Sequence, residues 1–143
     1  MYTIFKNIHH YTAMAVLVFI LLFTVVSFIY YIQRRPVSAQ IRKISVITII
    51  FTHTQLLLGI VLFLSSPVLH NVGMKDIMTI GTLRRNYVEH PFTMVIVAGL
   101  LTFANYHLKK LPRITIWILA VSAISLALVI GMIPKAFWGS IIL

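Results

Sequence analysis

Six histidines and no cysteine bound the chemistry open to this 143-residue chain. Without thiols it has no disulfide, thiolate metal site, iron–sulfur cluster or covalent c-type heme linkage, so ligation falls to imidazole. The histidines are His9, His10, His53, His70, His90 and His107. Carboxylates are nearly absent: Asp76 and Glu89 stand against twelve lysines and arginines, and Glu89 directly precedes His90-Pro91. No arrangement of acid, base and nucleophile suggests a stand-alone enzyme.

The elements that must position these imidazoles are apolar runs. With 60% apolar and 10% charged residues, the chain reads as an integral membrane protein. A spanning helix needs about 20 mostly apolar residues, and four runs qualify: Tyr11–Ile32, Ile44–Ser66, Pro91–Leu108 and Ile114–Ile133. The expected fold is all-α, a single up-down four-helix membrane bundle over 1–143, with an outer loop at 67–90 and no separate soluble domain. The first run lacks a small-x-small cleavage site and is expected to be a retained helix rather than a removed signal peptide, with the mature chain beginning near Met1. Pro36, Pro112 and Pro134 lie at or beyond run ends, and Pro91 suits a first helical turn.

Arg34, Arg35, Arg42 and Lys43 separate the first two runs, and Lys109, Lys110 and Arg113 the last two. The excess of positive charge assigns both loops to the cytoplasm and both termini to the outside. The net charge of +10 is therefore topological, with no role for nucleic acid. The longer central loop carries Lys75, Arg84 and Arg85 with the two acids, and mixes in Met74, Ile77, Met78 and Ile80 as a surface-lying helix does.

Depth and azimuth select among the histidines. His90 lies twenty residues before Lys110 and His9 twenty-five before Arg34, which puts them about 30 Å and about 37 Å above the cytoplasmic edge. His9 shares a helix face with Thr12, Ala13, Val16, Ile20, Thr24, Ser27 and Tyr31, whereas the face of His10 carries Met14, Leu17, Leu21 and Phe28. Small and hydroxyl residues mark helix contacts in membranes, so His9 is expected inside and His10 outside. His90 continues into Thr93, Met94, Val97, Leu101, Ala104 and Asn105, an interior stripe. Helices one and three occupy a diagonal of an up-down bundle, so the two imidazoles face each other across the core. Two such ligands without cysteine or a nearby cluster of carboxylates suit a heme iron better than zinc, which wants a third or fourth. The expectation is heme b on His9 and His90, with Arg84 and Arg85 as propionate partners and Lys75 and Tyr87 nearby.

Simpler roles compete. His10 and His70 read as interfacial residues, and His107 beside Lys109 and Lys110 as part of a cationic anchor. His53, about 15 Å inside by its distance from Lys43, is a candidate for a second site with His107, although their depths differ by about 10 Å. It lies off the small-polar stripe Thr48, Thr52, Gln55, Gly59 and Ser66, and pairs instead with His90 if helix three begins well before Pro91. Gln55 and Gly59 read as close-packing residues, with Gln55 bonding across the interface. Glu89 either orients a ligand imidazole or anchors the loop.

Three stretches carry a resemblance: "HHYTAMAVLV", "FTHTQLLLGIVLFLSSP" and "LRRNYVEHPFTM". They resemble a family of small bacterial four-helix membrane proteins described as cytochrome b-like, and more loosely one half of heme A synthase. The resemblance implies heme b held by His9 and His90 and makes His53 look deliberate. The synthase's first-helix His-Arg pair is here His9-His10, and no second half is present to hold a substrate heme, so synthase chemistry is not implied. The expected function is electron transfer in a bacterial inner membrane, with a quinone or a partner membrane complex. The alternatives are a structural or assembly subunit, among other subunits or as a homo-oligomer, and a transporter using His53 and Gln55.

Overall fold

The computed structural model describes residues 2–133, so Pro134 lies outside the described residues. Within these residues the α-helices follow in the order α1 (Tyr2–Ile32), α2 (Ala39–Leu64), α3 (Pro67–Asn71), α4 (Met74–Thr79), α5 (Gly81–Arg84), α6 (His90–Lys110) and α7 (Ile116–Met132), with a π-helical turn at Arg85–Glu89 between α5 and α6. Among the described residues three stretches are long and apolar enough to cross a membrane: Tyr2–Ile32, Ala39–Asn71 and Gly81–Lys110. The chain is accordingly a membrane protein. The apolar helix α7 has 17 residues.

Four of the helices form a ring in which α1 packs on α2, α2 on α6, α6 on α7 and α7 on α1, leaving α1 and α6 on a diagonal. The interior holds Val16, Ile20, Phe23, Val97, Leu101, Ala104 and Ile118, interleaved with buried Ser27, Ser45, Thr48, Thr52, Gln55, Thr93, Ser122 and Ser125. Large apolar side chains such as Leu57, Phe92 and Trp117 point outward. In lipid the outside has no reason to be polar, and small residues let backbones approach. Thr48 thus donates to the Phe19 carbonyl (3.3 Å), Thr24 to that of Ser122 (3.3 Å), and Ser45 to Asn105 Oδ1 (3.1 Å).

The helix limits expected from hydropathy need correction. α1 begins at Tyr2, not near Tyr11, because nothing in Tyr2–His10 breaks a helix: the polar Lys6-Asn7 pair leaves the apolar region without leaving the helix. α2 begins at Ala39, where Ser38 accepts a hydrogen bond from the Ile41 N–H (3.5 Å). It ends at Leu64, and Ser66 caps α3 instead.

The expected outer loop 67–90 is mostly helical, and Pro91 does not open the third spanning helix. Helical backbone runs on from Gly81 to Lys110. Pro91 has no N–H for the Tyr87 carbonyl, and its ring crowds that position. The widened turn accommodates this, with the His90 N–H bonded five residues back to the Arg85 carbonyl. π-turns of this kind interrupt α-helices where one residue must be absorbed.

The two short connections are joined. Val37 N–H donates to the Pro112 carbonyl (2.8 Å) and Pro36 bridges Arg113. α1 ends in a Schellman motif, with Arg35 N–H bonded to the Tyr30 carbonyl (3.0 Å) and Arg34 N–H to that of Tyr31 (3.2 Å). The residue in the left-handed position is Arg34, at φ 51°, a conformation that costs a non-glycine residue roughly 1–2 kcal/mol.

Candidate functional site

His9 and His90 meet across the diagonal. Their ring centres are 6.3 Å apart and the ring planes cross at 74°. Both rings are partly buried, while neighbouring His10 is exposed. Two imidazoles sharing one metal ion at roughly 2.0–2.1 Å each place their ring centres roughly 6 Å apart. The two imidazoles are the donors that the pair offers. Among the described residues no group of three or more His, Cys, Asp or Glu is placed to hold a metal.

α2 supplies the floor under His9. Gln55 Nε2 donates to the His9 carbonyl (2.8 Å), and the Gln55 side-chain oxygen accepts from the Thr12 hydroxyl. Thr12 also leans on the Ile8 and His9 carbonyls (2.9 and 3.2 Å). One turn further along α2, Gly59 leaves space for the ring: a Cβ there would stand 3.3 Å from His9 Cε1 and 3.8 Å from Nδ1. His9 Nδ1 is buried without a hydrogen-bond partner. Buried polar atoms are almost always paired, so this imidazole nitrogen, on the side of the ring that faces Gly59, is a chemically unsatisfied feature of the site.

The cations upstream of His90 are engaged. Arg84 Nε pairs with Glu89 Oε1 at 2.9 Å, both side chains being about half exposed. Arg85 donates to the Gly131 carbonyl (2.7 Å) in the last turn of α7, and Tyr87 shares a hydrogen bond with Ser66 Oγ (2.7 Å). Glu89 therefore pairs with Arg84, and no ion pair or side-chain hydrogen bond joins it to His90. Lys75 is exposed on α4.

His53 and His107 are not brought together. Ser45 and Asn105 meet between antiparallel α2 and α6. From that contact His53 lies eight residues up α2 and His107 two residues the other way, roughly 15 Å apart along the axis. His53 is exposed, its Nδ1–H donating to the Ile49 carbonyl (2.9 Å). His107 packs against Phe103 and Tyr106 at 4.3 and 5.4 Å. A pairing of His53 with His90 fails equally, because His53 faces away from the core. His70 Nε2–H bonds the Leu64 carbonyl (3.2 Å) at the end of α2.

Sequence reasoning placed Thr12 on the right face and Gln55 across the interface, but not their meeting beneath His9. The shared signal was the small-polar stripe on both helices. In comparisons with known families, curated proteins and solved structures, nothing matches the chain.

Proposed function

We propose that the chain is a b-type heme protein in which His9 and His90 are the axial ligands, and that it passes electrons within the membrane to or from a quinone or a partner complex. The observation that supports this reading is the isolated His9–His90 pair, at 6.3 Å, with a buried and unpartnered Nδ1 on His9. Bound heme supplies the one-electron chemistry. The chain's own residues hold and orient: Gln55 fixes the α1 backbone at His9, Gly59 admits its ring, and Pro91 with its π-turn sets the rotation of His90. The guanidinium N–H groups of Arg84 and Arg85 that remain beyond the bonds to Glu89 and Gly131 are the candidate partners for propionates.

In the same proposal α7 is a fourth crossing. Its 17 residues span about 25 Å, close to the hydrocarbon thickness of about 30 Å. The basic connections face the cytoplasm of a bacterial inner membrane and both termini lie outside. The resemblance to cytochrome b-like proteins points the same way.

A reduced-minus-oxidised spectrum of the purified protein tests the reading. An α band is expected in wild type and in His53→Ala, and its loss in His9→Ala and His90→Ala. A band that survives in both of those variants removes the ligand assignment. Chromophore-free protein that migrates with other membrane proteins on native gels favours an accessory subunit instead.

A further inference from the structure

The end of the ring where α1 passes into α2 and α6 into α7 carries seven basic residues, between Arg34 and Lys43 and between Lys109 and Arg113, and no acid. Asp76 and Glu89 both belong to the opposite turn. Two of these cations have aromatic neighbours: Arg35 lies 6.0 Å from the Tyr30 ring centre and Lys110 Nζ 4.0 Å from that of Tyr106. Arg34 and Arg113 instead line one cavity of about 310 Å³, together with Tyr31, Ile32 and Ile114. The Pro36–Arg113 bridge and the bond from Val37 N–H to the Pro112 carbonyl lock the two loops that carry them. Among the described residues neither guanidinium has an ion-pair partner.

Arg34 occupies a backbone position that selects for glycine. It is the C′ residue of the Schellman motif and, among the described residues, the only non-glycine with positive φ. Glycine adopts this conformation freely, so an arginine there sustains strain for a side chain that the fold does not use. The cavity also adjoins the start of α7, where the Thr115 side chain makes no capping bond. Ile114, in the cavity lining, precedes the first turn of that helix by two residues, so the positive dipole end follows directly in the chain. Arginine matches phosphate through paired N–H donors. Ile32 and Ile114 add an apolar rim of the kind that a lipid's glycerol and upper acyl region would contact.

We propose that Arg34 and Arg113 form a binding site for a phosphate oxyanion, supplied by the headgroup of an anionic phospholipid. Basic pockets between spanning helices hold such headgroups. The proposal is independent of heme binding.

Native mass spectrometry of the full chain, released from detergent micelles doped with phosphatidylglycerol or phosphatidylcholine, tests it. Wild type is expected to retain phosphatidylglycerol in preference. Arg34→Gly and Arg113→Gln are each expected to weaken retention by roughly tenfold or more, the scale of a lost hydrogen bond to a charged group. Arg42→Gln, outside the cavity, should stay within about twofold of wild type, as expected for an exposed charge with no ion-pair partner among the described residues. Arg34→Gly relieves the backbone, so its melting temperature should hold or rise by roughly 2–4 °C, separating lost binding from lost folding. Displacement of the lipid by millimolar inorganic phosphate would identify phosphate alone as the sufficient ligand, and resistance to it would identify the lipid; both assign the site to the arginine pair. Equal retention by wild type and both cavity variants would overturn the proposal. So would an equal loss in Arg42→Gln, or equal retention of phosphatidylcholine.

Discussion

Substitution of Gly59 probes the contact on which the site's geometry depends. In Gly59→Ala the new methyl would stand 3.3 Å from His9 Cε1, short of the roughly 3.5–4.0 Å at which carbon atoms rest. The imidazole must yield by a few tenths of an ångström. That is a small fraction of the ~30° side-chain rotation that costs roughly 0.5–1.5 kcal/mol. Alanine in a helix interior recovers roughly 0.8–1.0 kcal/mol relative to glycine. The gain exceeds the cost, so Gly59→Ala should melt higher than wild type by up to roughly 4 °C. A ligand side chain tolerates displacement within roughly 0.5 Å, so the reduced α band should persist. Gly59→Val carries its methyls about 1.5 Å further, into the space of the ring, and a shift of a few tenths no longer suffices. Overpacking of this kind costs about 1–3 kcal/mol, and His9 should leave its position opposite His90. Thermal melts and heme spectra of both variants, purified in the same detergent, give the comparison. A Gly59→Val protein with wild-type melting temperature and spectrum would refute the reasoning, because His9 could not then lie against Gly59.

Gln55→Leu removes two hydrogen bonds to α1, each worth about 0.6 kcal/mol within a membrane; unfolding in mixed micelles should show a loss of about 1 kcal/mol. The double variant with Thr12→Val should lose less than the sum of the singles, and strict additivity would mean that the two side chains do not interact. Pro91→Ala restores the missing N–H, so the Arg85–Glu89 turn has no reason to stay wide, and its amides should exchange more slowly by hydrogen–deuterium exchange. Unchanged exchange there would detach the π-turn from the proline. Ser27 is fully buried with an unpartnered hydroxyl, a group whose desolvation costs about 1–3 kcal/mol. Ser27→Ala should therefore raise the melting temperature, and a lower one would reveal an acceptor or bound water at that hydroxyl.

The parts of this fold that were legible in the sequence are those written as periodicity. Ser27 on α1, Thr48, Thr52 and Gln55 on α2, and Ser122 and Ser125 on α7 recur at helical spacing, and all are buried. A lipid-facing surface has no use for hydroxyls, so in a membrane the small-polar stripe reports the inside more clearly than hydrophobicity does. Helix ends were not legible, because hydropathy measures where the chain leaves lipid and not where it leaves the helix. Tyr2–His10 and most of Pro67–Glu89 are polar enough to end an apolar run, yet they contain little that stops helical hydrogen bonding. The role of Gly59 was hidden for a different reason. Its contact with His9 depends on the register between two helices, which neither helix's own pattern contains.

The histidines separate the two kinds of information further. His9 and His90 were matched by depth and by face, and their rings meet. His53 and His107 were joined as a candidate site with neither criterion satisfied, and the structure leaves them on different levels, with His53 turned outward. Depth fixes one coordinate of a side chain in a bundle and azimuth a second; a pair agreeing in both has only the interaxial distance left undetermined. Across a diagonal that distance is set by the small residues that let the four helices close. The hydroxyl stripe that identified the interior is thus also what brings two imidazoles within reach of one another.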